Sequence, residues 1–177
     1  IWLFKTMNDT EFIAGAYDGL HLFKKQNGAW LYQHHIENFT ISSRYFERIN
    51  PQEFLVSHEY KGVFRLVLNS EKTRVLTTTQ VPNAPISLYS SMTSFQGDVY
   101  YFSKNGFFGY DAQQNQFVKN DKIAQLFNDD NFTTGKMVLD REKYLWLFER
   151  NNLVRLAKGA LSDDFVVSKY PLAYDAR

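Results

Sequence analysis

The chain has 177 residues, 20 basic and 19 acidic, for a net charge of +1, so no long-range field draws it to nucleic acid or an anionic membrane. It has no cysteine, which excludes disulfides, thiolate metal centres and cysteine nucleophiles together. Hydrophobic residues at 44% with four prolines mark a folded chain, and an aromatic share of 17% favours pleated, buried surfaces and an all-β fold.

The chain opens on Ile1-Trp2-Leu3-Phe4 with no basic region ahead of an apolar core, so no secretory leader is read. Because it starts inside an apolar stretch, it is expected to be a piece of a longer protein. No apolar run approaches the roughly 18–20 residues that span a bilayer. A first strand is expected over 1–6, a second at Phe12-Ile13-Ala14, a third over 20–23 and a fourth over 30–36. Between the second and third lies the turn Tyr17-Asp18-Gly19.

The same order then recurs. Strands are expected over 43–48, 54–56, 63–68 and 74–79, then over 87–94, 99–102, 107–110 and 116–119. The last set covers 134–139, 144–148, 153–156 and 165–170. The runs before each turn are three to five residues long, apolar on both faces, and bounded by Gly or Asn, which argues for strands covered on both sides. The turn markers Gly19, Gly62, Gly106 and Asn152 follow one another at steps of 43, 44 and 46 residues. A period in this range is the signature of a propeller array, one four-stranded blade per repeat. The expected architecture is a β-propeller with about four blades, near 1–42, 43–86, 87–131 and 132–177, forming part of a larger ring.

The turns have a chemistry of their own. Asp18-Gly19 and Asn105-Gly106 are dipeptides that accept positive φ in a two-residue hairpin, and Asn151-Asn152 is expected to do the same. Lys61-Gly62 suits that turn less well. A type I turn with Gly62 as the bulge residue is expected there, and an extra residue in that repeat would explain why Phe54 stands one residue further from its glycine than Phe12 does.

Enzyme signatures are missing: there is no G-x-S-x-G, no phosphate-cradling G-x-x-x-x-G-K and no H-E-x-x-H. His34-His35 are neighbours that a strand points to opposite faces, so they do not share a metal. Asn128-Asp129-Asp130-Asn131 is rich in oxygen but lacks the spacing of a calcium loop. No cofactor, no metal and no catalytic residue is expected. In a propeller, the turns between second and third strands share a face with the crossings between blades. Tyr17, Asp18, His58, Glu59, Tyr60, Lys61, Lys104, Asn105, Arg150 and Asn151 would gather there. Tyrosines mixed with charged and amide groups offer a ring to stack on and donors to orient a sugar or a small anion. The expected ligand contacts are Tyr17, Asp18, His58, Tyr60, Lys61, Lys104 and Arg150. Asp18 and Glu59 sit at equivalent turns and are the pair a glycan hydrolase or lyase would use, with His58 beside them.

The stretches from Gly15 to Phe23 and from Phe54 to Leu66, with Ser43-Arg44-Tyr45-Phe46-Glu47 before the second, resemble the two-component regulator propeller repeat of Bacteroidetes sensors and triple-tyrosine regulators. The likeness runs through all four repeats and is strongest in the first two. Phe54 stands where that repeat often has Trp, each turn keeps one glycine, and the fourth has Asn152. The resemblance implies a non-catalytic, periplasmic sensor that relays ligand occupancy to a transcriptional output. It also implies a small-molecule or oligosaccharide ligand, further blades, and a downstream β-sandwich, membrane helix and output domain. A homodimer is compatible with it, and this segment would not itself touch nucleic acid. A protein-interaction scaffold is the rival reading; the Gly-His and Trp-Asp pairs of WD repeats are absent.

Overall fold

The computed structural model describes residues 1–127, 130–159 and 164–173. Asn128 and Asp129 of the oxygen-rich loop lie outside them. The chain divides into two compact units, Ile1–Ile86 with Asp111–Phe117, and Ser87–Tyr110 with Val118–Arg177.

The all-β expectation holds, and each repeat is one antiparallel sheet of four strands. The first runs in the order β1 (Leu3–Asn8), β2 (Glu11–Ala16), β3 (Gly19–Gln26), β4 (Ala29–His35). The second is β5 (Tyr45–Arg48), β6 (Glu53–His58), β7 (Gly62–Leu68), β8 (Val75–Gln80). The third is β9 (Ser91–Phe95), β10 (Asp98–Ser103), β11 (Gly106–Asp111), β12 (Gln116–Lys119). After a helical turn, α1 (Asp121–Ala124), comes the fourth: β13 (Val138–Leu139), β14 (Leu145–Phe148), β15 (Asn152–Lys158), β16 (Phe165–Pro171). These are up-and-down meanders, the sheet topology of propeller blades.

In the first unit one apolar core joins two sheets. Ile13, Leu20 and Leu22 of the first meet Phe46, Phe54, Val56 and Leu66 of the second, with Ile36 and Phe39 from the crossing between them. Each such side chain, fully buried, contributes roughly 1.5–3 kcal/mol of transfer free energy. Gly15 sets how close the sheets come: a Cβ there would lie 1.9 Å from the Ser43 carbonyl oxygen. The backbone seals the same edge, where Ser43 N donates to Ala16 O at 2.8 Å. In the second unit Phe95, Phe102 and Phe107 of the third sheet share a core with Leu145, Leu147, Val154 and Leu156 of the fourth. The buried Ile123 of α1 joins them.

Three local expectations are corrected. The two-residue loops are Tyr17-Asp18 and Lys104-Asn105, because Ala16 pairs with Gly19 and Ser103 with Gly106. The positive φ sits on the first strand residue after each loop, +124° at Gly19 and +130° at Gly106, and not within it. Asn152 takes no positive φ; its side-chain Nδ2 donates to Glu149 Oε2 at 2.8 Å instead, closing a wider loop. The second sheet's turn does have three residues, Glu59-Tyr60-Lys61, between paired His58 and Gly62 (φ +89°).

The innermost strands of the second unit are shorter than expected. The stretch from 87 to 90 bends, with Tyr89 at φ +57°. Gly135 N donates to Tyr89 O at 2.6 Å and Gly135 O accepts from Ser91 Oγ at 2.5 Å. Residues 134–136 are thus tied to the third sheet and cannot extend β13. The helix α1 was not foreseen. Its signal is Asn120, whose Oδ1 accepts from Ile123 N at 3.1 Å as an N-cap.

Candidate functional site

The register of the repeat places Ile1 opposite Ser43, so Trp2 and Arg44 hold equivalent positions ahead of neighbouring innermost strands. Trp2 N donates to Gly15 O at 2.7 Å, fixing its backbone beside the end of β2. The loops after β2 and β6 stand next to these positions. Together they form a cleft of about 210 Å³ lined by Trp2, Tyr17, Ser42, Arg44, Tyr45, Ser57, His58, Glu59 and Tyr60.

Its walls are aromatic. The rings of Trp2 and Tyr17 lie 4.5 Å apart at 56°, and Tyr60 stands 6.1 Å from the His58 ring. Tyr17 and Tyr60 are 71% and 70% exposed, so neither supports the core. Arg44 runs between the walls, its guanidinium 5.6 Å from the Trp2 ring and 5.4 Å from Tyr45.

Its charges cancel. Arg44 donates to Glu59 Oε1 at 3.0 Å. His58 Nδ1 accepts from Tyr60 N at 3.1 Å, which leaves the neutral ring its proton on Nε2. Burial holds the His58 pKa below its ordinary value, the Lys61 charge adds to this, and Glu59 partly opposes it. Near neutral pH the lining therefore carries one cation, one anion and a neutral imidazole. That is a set of donors and acceptors for hydroxyl groups. The volume lies below the ~300–1,000 Å³ of sites for drug-sized ligands, so the cleft suits one small ring or the end of a longer molecule.

The structure brings together Tyr17, His58 and Tyr60 of the expected contacts. Lys61 stands in the same loop and acts on the cleft through its charge, while its carbonyl accepts from Gln80 Nε2 at 3.0 Å. Asp18 does not line the cleft. Its Oδ1 accepts from His21 Nε2 at 2.8 Å and its carbonyl accepts from His35 Nε2 at 2.9 Å. The expectation that Asp18 and Glu59 face one opening is thereby corrected: the hairpin turns the Asp18 carboxylate toward its own β3. Lys104 and Arg150 are exposed loop residues of the second unit, after β10 and β14; Arg150 N donates to Asn131 O at 3.0 Å. Sequence reasoning missed Trp2, Ser42, Arg44, Tyr45 and Ser57. The equivalence of Trp2 with Arg44 was available as a signal, since two large planar side chains recur at one repeat position.

No protein-family model and no curated protein matches the chain. Solved structures share its fold at low identity. One is a candidate 6-phosphogluconolactonase from Bacteroides uniformis, 10% identical, with a TM-score of 0.58 over 96% of this chain and 54% of that one. The chain thus spans about half the length of that protein. A second candidate 6-phosphogluconolactonase, from Bacteroides fragilis, is 11% identical with a TM-score of 0.49, covering 97% of this chain and 70% of its own. The extracellular domain of a candidate one-component system from B. thetaiotaomicron is 9% identical with a TM-score of 0.47, covering 98% and 31%. At these identities the first likeness carries the fold alone.

Proposed function

We propose that the chain is a non-catalytic ligand-sensing segment of an extracytoplasmic bacterial regulator, and that its first unit receives the end of a neutral sugar. The observation that carries this reading is the cleft itself. Four aromatic side chains flank an Arg44–Glu59 pair and a neutral His58, which suits C–H faces stacked on rings and hydroxyls held by paired donors and acceptors. The repeat resemblance supplies the regulatory role, the periplasmic setting and the further blades, sandwich and output domain. Among the described residues no helix is long and apolar enough to cross a membrane.

Glycoside hydrolysis uses two carboxyl groups flanking the bond. Glu59 lines the cleft and Asp18 does not, which favours binding over turnover. The test is titration calorimetry against a panel of neutral and acidic oligosaccharides, with the same mixtures analysed for cleavage. Binding of a neutral sugar without cleavage is the expected result. Exclusive binding of acidic sugars, or steady hydrolysis, would overturn the reading.

A further inference from the structure

A second cluster lies on the hairpin of the first sheet, on side chains the cleft does not use. β3 and β4 pair His21 directly opposite His35, and the rings stand 5.0 Å apart. Asp18 sits three residues before His21, in the loop that leads into β3. One donor atom from each of the three lies within 4.8 Å of the others. Asp18 is exposed, and the two histidines are half-buried.

We propose that Asp18, His21 and His35 form a binding site for a divalent transition-metal ion, with Zn²⁺ as the fitting species. Two imidazoles and a carboxylate are a donor set suited to zinc. A tetrahedral ion with bonds of about 2.0–2.2 Å holds its donors roughly 3.3 Å apart. Donors already within 4.8 Å of one another close on such an ion by small side-chain rotations. The backbone sets the two histidines side by side: they are directly paired cross-strand partners, one pair away from the register shift between Leu22 and Phe23. Gly19 keeps the space open, since a Cβ there would lie 3.1 Å from His35 Nε2. The exposed side of Asp18 leaves room for a water or an outside ligand as fourth donor. His34 and His58 are excluded: His34 Nε2 donates to Lys72 O at 3.2 Å, and His58 belongs to the cleft. The site is independent of the sugar reading.

The test is uptake of Zn²⁺ by the full 177-residue chain, with metal content measured after equilibrium dialysis. Histidine ring signals are followed by NMR during the same titration. One ion per chain is expected, with the His21 and His35 signals shifting and those of His34 and His58 unmoved. His21→Ala and His35→Ala should each lower affinity at least tenfold, as should Asp18→Asn, while His34→Ala leaves it unchanged. Co²⁺ bound in place of Zn²⁺ should give visible absorption of a tetrahedral complex. No uptake, or ring shifts centred on His34 or His58, would overturn the proposal. The NMR readout uses the unaltered chain, so a variant that fails to fold does not decide the matter.

Discussion

Lys5 Nζ lies 2.6 Å from Glu47 Oε1, joining the innermost strands of the first two sheets. The two residues occupy the same place in their repeats: Lys5 pairs with Ile13 in its sheet and Glu47 pairs with Leu55 in its own. Equivalent positions thus carry opposite charges and meet across the boundary between sheets. The Glu47 side chain is only 3% exposed, so removing its partner would leave a carboxylate away from water. Breaking a buried pair from one side costs about 3–5 kcal/mol, and the partial exposure of Lys5 reduces that. Lys5→Met should destabilise the chain by about 2 kcal/mol. Adding Glu47→Leu should recover most of the loss. Denaturant titration of the single and double variants measures both, and an additive double variant would refute the coupling.

Gly15→Ala should be among the most damaging single changes in the first unit. Its Cβ would fall 1.9 Å from a backbone oxygen of the next sheet, and backbone yields only by moving the sheet. Gly97, at φ +92° with open space around it, gives a control in which Ala meets conformational strain alone, about 1–2 kcal/mol. Thermal unfolding should show a much larger drop for Gly15→Ala than for Gly97→Ala.

Tyr17→Ala and Tyr60→Ala should leave the unfolding temperature nearly unchanged, because both side chains stand in solvent. Each should weaken sugar binding several-fold, up to about tenfold, the loss of a stacking face being worth roughly 0.5–1.5 kcal/mol. Arg44→Ala should act in both assays, since it also packs against Trp2 and Tyr45. Calorimetric binding curves beside melting curves separate the two cases.

The depressed pKa of His58 gives a pH signature with a definite sign. Above its ordinary value of 6.5, folded and unfolded states are both neutral there and the stabilisation is complete. As pH falls from 6.5 toward the lower folded pKa, the unfolded chain binds the proton first and stability drops. His58→Gln should flatten that part of the stability-against-pH curve. A steeper curve in the variant would contradict the assignment.

The fold was legible because the turn markers repeat. A glycine that tolerates positive φ recurs near every forty-odd residues, and Gly19, Gly62 and Gly106 do take it. The exact loop was less legible: Asp-Gly reads as the turn itself, whereas here the glycine begins the strand and Tyr17-Asp18 make the loop. One residue of offset turned the Asp18 carboxylate to His21. The pairing of His21 with His35 was hidden for a similar reason. The ladder between β3 and β4 shifts register between Leu22 and Phe23, and strict alternation along β4 does not reveal which residue lies across from which. Trp2 and Arg44 escaped notice because they read as interior positions of the strands expected over 1–6 and 43–48, whereas β1 and β5 begin only at Leu3 and Tyr45.

The cleft rests on two loops of unequal length, two residues after β2 and three after β6. Both run into a glycine whose backbone absorbs the change of direction, so the strands behind them keep their ladders. A residue gained or lost in such a loop alters how far a tyrosine reaches while the sheet is untouched. New specificities then lie one insertion or deletion apart, a shorter mutational walk than any that must rebuild a core.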